Sequence, residues 1–255
     1  MPIEGRRHGN ILAIKASSST QGVAAVERAL TIVTVLEAAG EPLSLAELSR
    51  QTGLYKSTLL RLIVSLERFS LVVVRADRKY ALGPLAFRLG RSFEATYHLR
   101  AQLLPVLERL VTQGAESPSF HVRHDRKHRL CLFRVDSRHS TLDSVHAGDL
   151  LPIDRGAAGT VIRAFEKPNP ENSWQDIDMV SASFGERDPA CAAVAAPVFG
   201  PEGEFYGAIS LSGPKERFTA ANIRQLSSLL VNACRSVTVS LGGRWPWPSK
   251  STRRG

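Results

Sequence analysis

The stretch from Pro42 to Tyr80 constrains the fold of this chain more than any other, because several local signals follow one another within it. Ser44 and Glu47 have the spacing of a capping box, in which each side chain accepts a hydrogen bond from the other residue's backbone amide. Gly53 is suited to the left-handed residue that ends a helix. These signals predict a short helix between Ser44 and Gly53.

A second helix is predicted from about Lys56 to Phe69, because apolar residues recur there every three to four positions. The residues expected to be buried are Leu59, Leu62, Ile63, Leu66 and Phe69. The residues expected on the polar, cationic face are Ser57, Arg61, Ser65 and Arg68. Two helices joined by a tight glycine turn, with a cationic face on the second, are typical of a helix-turn-helix.

The segment after this helix carries the signals of a β-hairpin. A β-branched run, 71–74, precedes a charged turn, 75–79, and the chain then returns towards Tyr80. We interpret the hairpin as a wing and the whole stretch as a DNA-reading domain. The competing interpretation is an ordinary helical domain, since any amphipathic helix has one polar face. The order of the four signals favours DNA binding.

Charge supports a polyanionic partner for the first part of the chain. The net charge is +9, and residues 1–100 hold 14 Lys and Arg against 8 Asp and Glu, whereas residues 101–255 hold 19 against 16. Apolar residues make up 43% and charged residues 22%, which is the balance of a soluble globular protein. The sequence has no membrane-length apolar run and its first residues are a poor secretory signal, so we expect a cytoplasmic protein without a membrane partner.

The remaining N-terminal segments fit around the helix-turn-helix. Residues 1–21 are polar and aperiodic, and we expect either a flexible arm or a basic arm that contacts DNA through Arg6, Arg7 and Lys15. A helix over 23–39 is predicted to support the other two. Its expected buried residues are Val26, Leu30, Val33 and Leu36.

Two further helices are predicted after the wing. The first spans about 85–94, with Leu85, Leu89 and Phe93 on its apolar face, and is interpreted as a linker between two domains. Such a helix would fix the distance between two heads of a dimer, or its apolar face would be covered within one subunit. The second helix, 97–113, carries Leu103, Leu107 and Leu110 on one side.

From Ser117 onwards the apolar period changes to two, which predicts strands. Strands are predicted over 119–124, 130–135, 192–199 and 206–212, with 141–146 as a candidate third strand and 201–204 as a hairpin turn. A small-residue loop, 151–160, is expected to enter a short helix, 161–165, before a polar loop, 167–176. A closing helix, 219–241, completes an α+β sensor domain.

Residue types that often carry catalysis are present without a supporting pattern. Cys131, Cys191 and Cys234 are far apart and are expected to act as small hydrophobic residues. In a strand, His121 and His124 point to opposite faces and His128 falls in the turn, so a zinc site is not favoured. No hydrolase, metalloprotease or phosphate-loop signature is present. We therefore expect no catalytic residue, metal or cofactor.

Short fragments along nearly the whole chain match one family pattern in the same order. They are VERAL (26–30), LSLAEL (43–48), TGLYKST (52–58), RL (61–62), YALG (80–83), LP (151–152), AAPVF (195–199), SLSGP (210–214) and RFT (217–219). On these fragments the sequence resembles the IclR family of bacterial transcription regulators.

The resemblance implies an α+β chain with an N-terminal winged helix-turn-helix, a linker helix and a C-terminal GAF-like α/β effector-binding domain. It also implies a homodimer or a dimer of dimers on palindromic double-stranded DNA operators, controlled by a small organic effector. The expected boundaries are 1–21 for a flexible arm, 22–84 for the DNA-binding domain, 85–98 for the linker helix, 99–243 for the effector domain and 244–255 for a flexible tail.

The sequence departs from the family pattern at several positions. Tyr55 stands where members often have Pro, and Ala25 stands where Ser is usual. The segment between Phe165 and Asp188 is shorter than usual and lacks an acidic cluster. Ala193 replaces the usual cysteine, while Cys191 lies two positions earlier. The effector pocket is therefore where the family's residues transfer least.

The candidate DNA contacts lie on the helix-turn-helix and the wing. Ser57 and Arg61 are one helical turn apart, and an arginine there could bind guanine O6 and N7. Lys56 and Thr58 are expected to contact phosphates. The complete set of expected DNA-binding residues is Ser44, Tyr55, Lys56, Ser57, Thr58, Arg61, Arg68, Arg75, Arg78 and Lys79.

The candidate effector residues come from two segments and the resemblance. Backbone amides of Ala157, Ala158 and Gly159 at the start of a helix suit a carboxylate, and Arg155 is a candidate counter-ion. The complete set is Arg155, Ala157, Ala158, Gly159, Ala193, Ser210 and Ser212. The predicted effector is a small organic acid.

The favoured function is sequence-specific transcription regulation by a ligand-responsive DNA-binding protein. Two alternatives stay open at this point. One is a GAF-like sensor or interaction module without specific DNA binding, and the other is a hydrolase with an appended helix-turn-helix.

Overall fold

The computed structural model describes residues 22–97, 99–166 and 178–247. The chain divides between residues 98 and 99 into two compact units, each with its own apolar core. The expectations for residues 1–21, 167–176 and 248–255 lie outside the described residues. No helix in the described ranges has the length and apolarity that crossing a membrane requires.

The first unit is a helix-turn-helix with a two-stranded hairpin. Its elements are α1 (Ala24–Ala39), α2 (Leu45–Thr52), α3 (Lys56–Arg68), β1 (Val72–Val74), β2 (Tyr80–Leu82) and α4 (Pro84–Tyr97). The predicted capping box is confirmed, because the Glu47 amide donates to Ser44 Oγ at 3.3 Å and the Ser44 amide donates to the Glu47 carboxylate at 2.7 Å. Gly53 ends α2 in the left-handed conformation with φ +70°.

The buried face of α1 in the first unit differs from the predicted one. Val26 and Leu30 are 54% and 53% exposed, whereas Ile32 and Leu36 are buried. The face of α1 that packs against the rest of the unit carries Ala29, Ile32 and Leu36, so Val26 lies before the packed part and Leu30 points away from it.

Two other predicted apolar faces also differ. Phe69 is 74% exposed because α3 ends at Arg68, after which the helical period no longer directs side chains to the core. On α4, Leu89 and Phe93 are 55% and 38% exposed. The burial predicted for Phe69 is therefore wrong, and of the two alternatives left open for the apolar face of α4, the exposure of Leu89 and Phe93 does not favour cover within one subunit.

The second unit is a six-stranded antiparallel sheet with helices on both faces. Its elements are α5 (Leu99–Thr112), β3 (Ser117–Arg123), β4 (His128–Arg134), β5 (Leu150–Pro152), α6 (Ala157–Phe165), β6 (Ser181–Phe184), β7 (Cys191–Phe199), β8 (Phe205–Pro214) and α7 (Ala220–Ser240). The strand order is β5-β4-β3-β8-β7-β6. Helix α6 packs on the face that carries Ala195 and Ala208, and α5 and α7 pack on each other and on the sheet.

The candidate third strand over 141–146 is wrong. Asp143 and Val145 are buried between exposed neighbours, which produces an alternating pattern without any ladder. Ion pairs of Asp143 hold this segment, and the edge strand is β5. Helix α6 also begins at Ala157, four residues before its predicted start.

The expectation of a flexible tail from residue 244 does not hold for the described residues up to 247. Trp245 and Trp247 pack edge-on against Phe199 and Phe165, with ring centroids 6.4 and 5.7 Å apart. Such aromatic pairs stabilise a fold beyond their buried area, by about 0.5–1.5 kcal/mol each. Trp245 and Trp247 therefore pack, partly buried, against the core of the second unit.

Candidate nucleic-acid interface and buried cavity

The turn between α2 and α3 is fixed by side-chain hydrogen bonds that the sequence places locally. Thr52 Oγ1 donates to the Leu48 carbonyl at 2.6 Å and accepts from the Leu54 amide at 3.2 Å. Ser49 Oγ donates to the Leu54 carbonyl at 2.7 Å. These bonds set the angle at which α3 leaves α2, and hence the direction of its polar face.

Helix α3 presents a cationic surface on the side away from the core. Lys56, Arg61 and Arg68 are exposed, while Leu59 and Ile63 are buried. In the described part of the chain, none of the three cations has an Asp or Glu oxygen within 4 Å. Unpaired exposed cations on one helix face suit contacts with phosphates and guanine edges.

Two apolar residues on this exposed face were not among the predicted contacts. Leu60 and Val64 are 45% and 50% exposed and lie on the same side of α3 as Ser57 and Arg61. Apolar side chains in a major groove can contact thymine methyl groups. Tyr55, which precedes α3 without capping it, is 84% exposed.

The hairpin carries the remaining candidate cations. Arg75, Arg78 and Lys79 are exposed in the turn, where Arg75 lies 3.8 Å from Asp77. The hairpin is tied to the residue before α2, because Leu43 and Tyr80 exchange backbone hydrogen bonds of 2.9 and 2.7 Å. The wing therefore has a fixed position in the first unit.

Ser44 differs from the other candidates because its side chain already has a structural role. Its hydroxyl accepts the Glu47 amide, and the hydrogen bonds of this capping box lower the pKa of the Glu47 carboxyl. Thr58 is half-buried, so it is less accessible than Ser57.

In the second unit a cavity of about 40 Å3 lies between the start of α6 and the sheet. Five of the predicted effector residues line it: Ala157, Ala158, Ala193, Ser210 and Ser212. The side chain of Arg155 is exposed and lies outside the lining, and so does Gly159. The other lining residues are His121, Arg129, Asp143, Val145, Leu151, Gly156, Ser183, Glu186, Arg187, Asp188, Cys191 and Ala192.

The amino end of α6 is already bonded to other parts of the chain. The Ala157 amide donates to Ser183 Oγ at 2.9 Å, and the Gly156 amide donates to the Glu186 carboxylate at 2.8 Å. Gly156 has φ +80°, a conformation that favours glycine. A carboxylate thus occupies the start of this helix, where negative charge is stabilised.

A buried carboxylate joins two arginines at the edge of the cavity. The Asp143 side chain is fully buried, is hydrogen-bonded by Arg134 Nη2 and lies 3.6 Å from Arg187 Nη2. Arg134 Nε also donates to Asp136 at 2.7 Å. This pairing anchors the segment before β5 to β4 and to the turn after β6.

Arg129, on β4, is a second buried cation with different partners. It is only 4% exposed, and its Nη1 donates to the backbone carbonyls of Pro152 and, at 2.8 Å, of Arg155. Burial lowers the pKa of the guanidinium to about 10, and the nearby charge of Arg187 adds to that shift. The group still carries its charge at neutral pH.

His121 faces the same cavity from β3. Its Nε2 lies 2.8 Å from Ser119 Oγ, which in turn lies 3.1 Å from Ser210 Oγ. Burial holds the pKa of His121 well below its usual range, and Arg129 contributes further in the same direction. His121 is therefore neutral at pH 7.

Sequence reasoning missed the charged members of this cavity. Arg129 and Arg187 lie far from the glycine-alanine segment on which the prediction rested, and Glu186 follows a strand, β6, that was not predicted. Strand β6 reads Ser-Ala-Ser-Phe and lacks the β-branched residues that mark strands. No signal marked Arg129, because it lies in the charged segment just before the predicted strand, 130–135.

The cysteines and histidines show no arrangement for chemistry within the described ranges. All three cysteines are free, and burial raises the thiol pKa of Cys131 to about 12. Cys191 lines the cavity, and its thiol pKa is also raised, mainly by burial. The described residues contain no group of three His, Cys, Asp or Glu side chains that could hold a metal ion.

Comparisons with known proteins match both units. Residues 25–76 match the family model of the IclR helix-turn-helix domain, and residues 178–239 match that of the bacterial transcriptional regulator IclR C-terminal region. The chain is 25% identical to the transcriptional repressor IclR of Escherichia coli K12, over 95% of this chain and 98% of that protein. It is 24% identical to the acetate operon repressor of Salmonella typhimurium LT2, with the same coverage of both chains.

Solved structures show the same fold. An IclR homologue from Microbacterium hydrocarbonoxydans, complexed with 4-hydroxybenzoate, has a TM-score of 0.72 with 18% identity, covering 86% of this chain and 99% of that one. Because this family is not enzymatic, membership in it excludes the alternative of a hydrolase with an appended helix-turn-helix. The two family models, the full-length relatives and the shared architecture lead to one assignment: the chain belongs to the IclR family of DNA-binding transcription regulators, with an N-terminal helix-turn-helix and a C-terminal effector domain.

Proposed function

We propose that this regulator binds a palindromic operator as a homodimer or a dimer of dimers, and that a small organic acid in the buried cavity controls the binding. The regulator works in the cytoplasm, where its DNA target is accessible. The observation that carries the effector part is the cavity itself, which has buried polar groups of His121, Arg129 and Ser210 in its wall.

The size of the cavity limits the effector. A volume of about 40 Å3 holds roughly three water molecules, since one water needs about 10–15 Å3. An acid of two or three carbons fits this space as it stands.

The names of two relatives agree with an organic acid without assigning one. One relative is called the acetate operon repressor, and a solved homologue is complexed with 4-hydroxybenzoate. Both acetate and 4-hydroxybenzoate are carboxylates. The chemistry of the cavity wall, rather than these names, supports the proposal for this chain.

On the DNA side, we propose that Arg61 binds a guanine edge in the major groove and that Ser57 contacts a neighbouring base. Lys56, Thr58 and Arg68 contact phosphates beside them, together with Ser44 and Tyr55. The wing residues Arg75, Arg78 and Lys79 bind along the backbone. The exposed positions of Arg61 and the wing cations support these roles.

A single head of this size contacts only a few base pairs, so specificity requires two heads at a fixed spacing. We infer that residues 85–98 act as the linker helix between a DNA-binding domain, 22–84, and an effector domain, 99–243. Helix α4 supports this role, because Phe87, Leu89 and Phe93 leave an exposed apolar surface.

The experiment is DNase footprinting of the protein on the DNA upstream of its own gene, at several salt concentrations and with candidate acids. We expect a symmetric protected region, a steep loss of affinity with salt, and an acid-dependent change in protection. Protection that shows no dependence on sequence would contradict specific operator binding. Specific protection that no organic acid alters would contradict only the effector part.

A further inference from the structure

We propose that Arg129 is the residue that binds the effector's carboxylate, through the edge of its guanidinium formed by Nε and Nη2. This inference rests on the proposed control by an organic acid and identifies the residue that recognises it. Arg155, the arginine expected from the sequence, contributes only its backbone carbonyl to the position of Arg129.

The hydrogen bonds of Arg129 leave one edge of the guanidinium available. Both of its bonds within the described residues, to the Pro152 and Arg155 carbonyls, start from Nη1. The buried Nε has no hydrogen-bond partner there. The Nε–H and one Nη2–H bond point in the same direction, and together they form the fork that binds a carboxylate through two parallel hydrogen bonds.

No carboxylate of the described residues neutralises Arg129. None of their Asp or Glu oxygens lies within 4 Å of its nitrogens. A buried cation without a charged partner is costly, which makes the site receptive to an anion. The three carboxylates that line the cavity have other partners: Asp143 pairs with two arginines, Glu186 accepts the Gly156 amide and Asp188 accepts the Ala190 amide.

Two of the amides at the helix end that would otherwise attract the effector's carboxylate, those of Gly156 and Ala157, are occupied. Glu186 and Ser183 accept the first amides of α6, so an anion there would have to displace Glu186. Arg129 needs no such displacement. Its Nη2 reaches the same corner of the cavity, since it lies 3.5 Å from where a Cβ on Gly156 would be.

A second buried polar atom in the cavity wall also lacks a partner. His121 is 2% exposed, and none of the described residues bonds its Nδ1, while Ser119 engages its Nε2. Depending on its tautomer, Nδ1 donates to a carboxylate oxygen or accepts from a ligand hydroxyl. Two unsatisfied polar groups on neighbouring strands, facing one cavity, define a site for a small polar anion.

The test measures binding of acetate, lactate and 4-hydroxybenzoate to the full chain by calorimetry, beside their uncharged amides. We expect at least one acid to bind wild type, with its amide about tenfold or more weaker, because the amide cannot pair with a cation. Arg129→Gln should weaken acid binding by about tenfold or more, and Arg129→Lys should retain part of it, since lysine lacks the fork. Arg155→Gln is the matched control and should bind like wild type.

Operator binding without acid serves as the folding readout for each variant. If acid binding survives Arg129→Gln, or if the amide binds wild type as tightly as the acid, the assignment of Arg129 is overturned while acid control stands. If no acid binds wild type, the proposed control by an organic acid is itself overturned, and this assignment with it. Should Arg129→Gln fail to fold, Arg129→Lys decides, because acid binding as tight as that of wild type in this variant would overturn the assignment.

Discussion

The DNA-facing surface and the buried cavity are built in opposite ways. The candidate DNA contacts lie within residues 44–79, are mostly exposed, and carry cations that have few partners within the chain. The cavity draws residues from 121 to 212, and its central polar groups, Arg129, Asp143 and His121, are buried. Substitutions at the surface should therefore change binding with little loss of stability, whereas those around the cavity should reduce the free energy of unfolding.

The largest effect is expected at Asp143. Asp143→Ala leaves Arg134, whose side chain is 4% exposed, without its buried carboxylate partner, so the free energy of unfolding should fall by about 3–5 kcal/mol. Urea unfolding followed by circular dichroism measures the loss. Asp136→Ala is the control, because Asp136 pairs with the same arginine from an exposed position and should cost less than about 1 kcal/mol. Equal losses for the two variants would remove the distinction between buried and exposed pairs.

Arg61→Ala tests the exposed surface. It should weaken specific operator binding by about 1–3 kcal/mol and relax discrimination at one base pair, with unfolding changed by less than about 0.5 kcal/mol. Fluorescence anisotropy with operator variants measures both effects on binding. Arg28→Ala, at an exposed arginine on α1, should leave operator affinity unchanged. Unaltered affinity and base preference in Arg61→Ala would refute the base contact.

Ser44 tests the contrast between surface positions that change binding and buried positions that change stability. Its side chain caps α2 and is also an expected DNA contact. Ser44→Ala should lower the stability of the first unit by about 0.5–2 kcal/mol through loss of the cap on α2. Ser57→Ala should weaken operator binding without changing unfolding. Thermal unfolding and anisotropy on both variants separate these roles, and unchanged unfolding of Ser44→Ala would show that the cap contributes nothing.

The smallest effect is a pH dependence from His121. Its pKa is well below the value of 6.5 expected in the unfolded chain, so the unfolded state binds the extra proton first as pH falls. The contribution of His121 to stability is complete above pH 6.5 and is lost progressively below it, down to the folded pKa. Arg129, Arg134 and Arg187 surround the ring and oppose its protonation. His121→Gln should flatten this part of the stability curve, and an unchanged curve would contradict the assignment.

Local signals predicted the first unit well because its structure depends on neighbours in sequence. The capping box at Ser44, the left-handed Gly53 and the hairpin after α3, which pairs Val72 with Leu82, all follow from residues close together in the chain. The predictions of burial were wrong for Leu30 and Phe69, because tertiary contacts determine whether a side chain is exposed. Periodicity indicates that a face is apolar, but only packing determines how far along the helix that face is covered.

Only the small residues of the cavity lining could be predicted from the sequence. Ala157, Ala158, Ser210 and Ser212 line it as expected, because strand alternation and the start of a helix direct them there. The roles of Arg129, Asp143 and Glu186 could not be predicted. Each depends on a partner more than eight positions away, and no local pattern specifies which charges will be buried together.

The sequence by itself determined the family, the two-part organisation and the helix-turn-helix with its cationic face, since caps, turns and periodicity act over a few residues. The tertiary structure alone decided the electrostatics of the cavity. Pairing in the six-stranded sheet sets Arg129 on β4 opposite Arg123 and His121 on β3 opposite Cys131, so that Arg129 and His121 line the same cavity, while the turn after β6 brings Glu186 to the start of α6. Burial then makes Arg129 and His121 depend on their neighbours, because a polar or charged group removed from water must be balanced by charges or hydrogen bonds nearby.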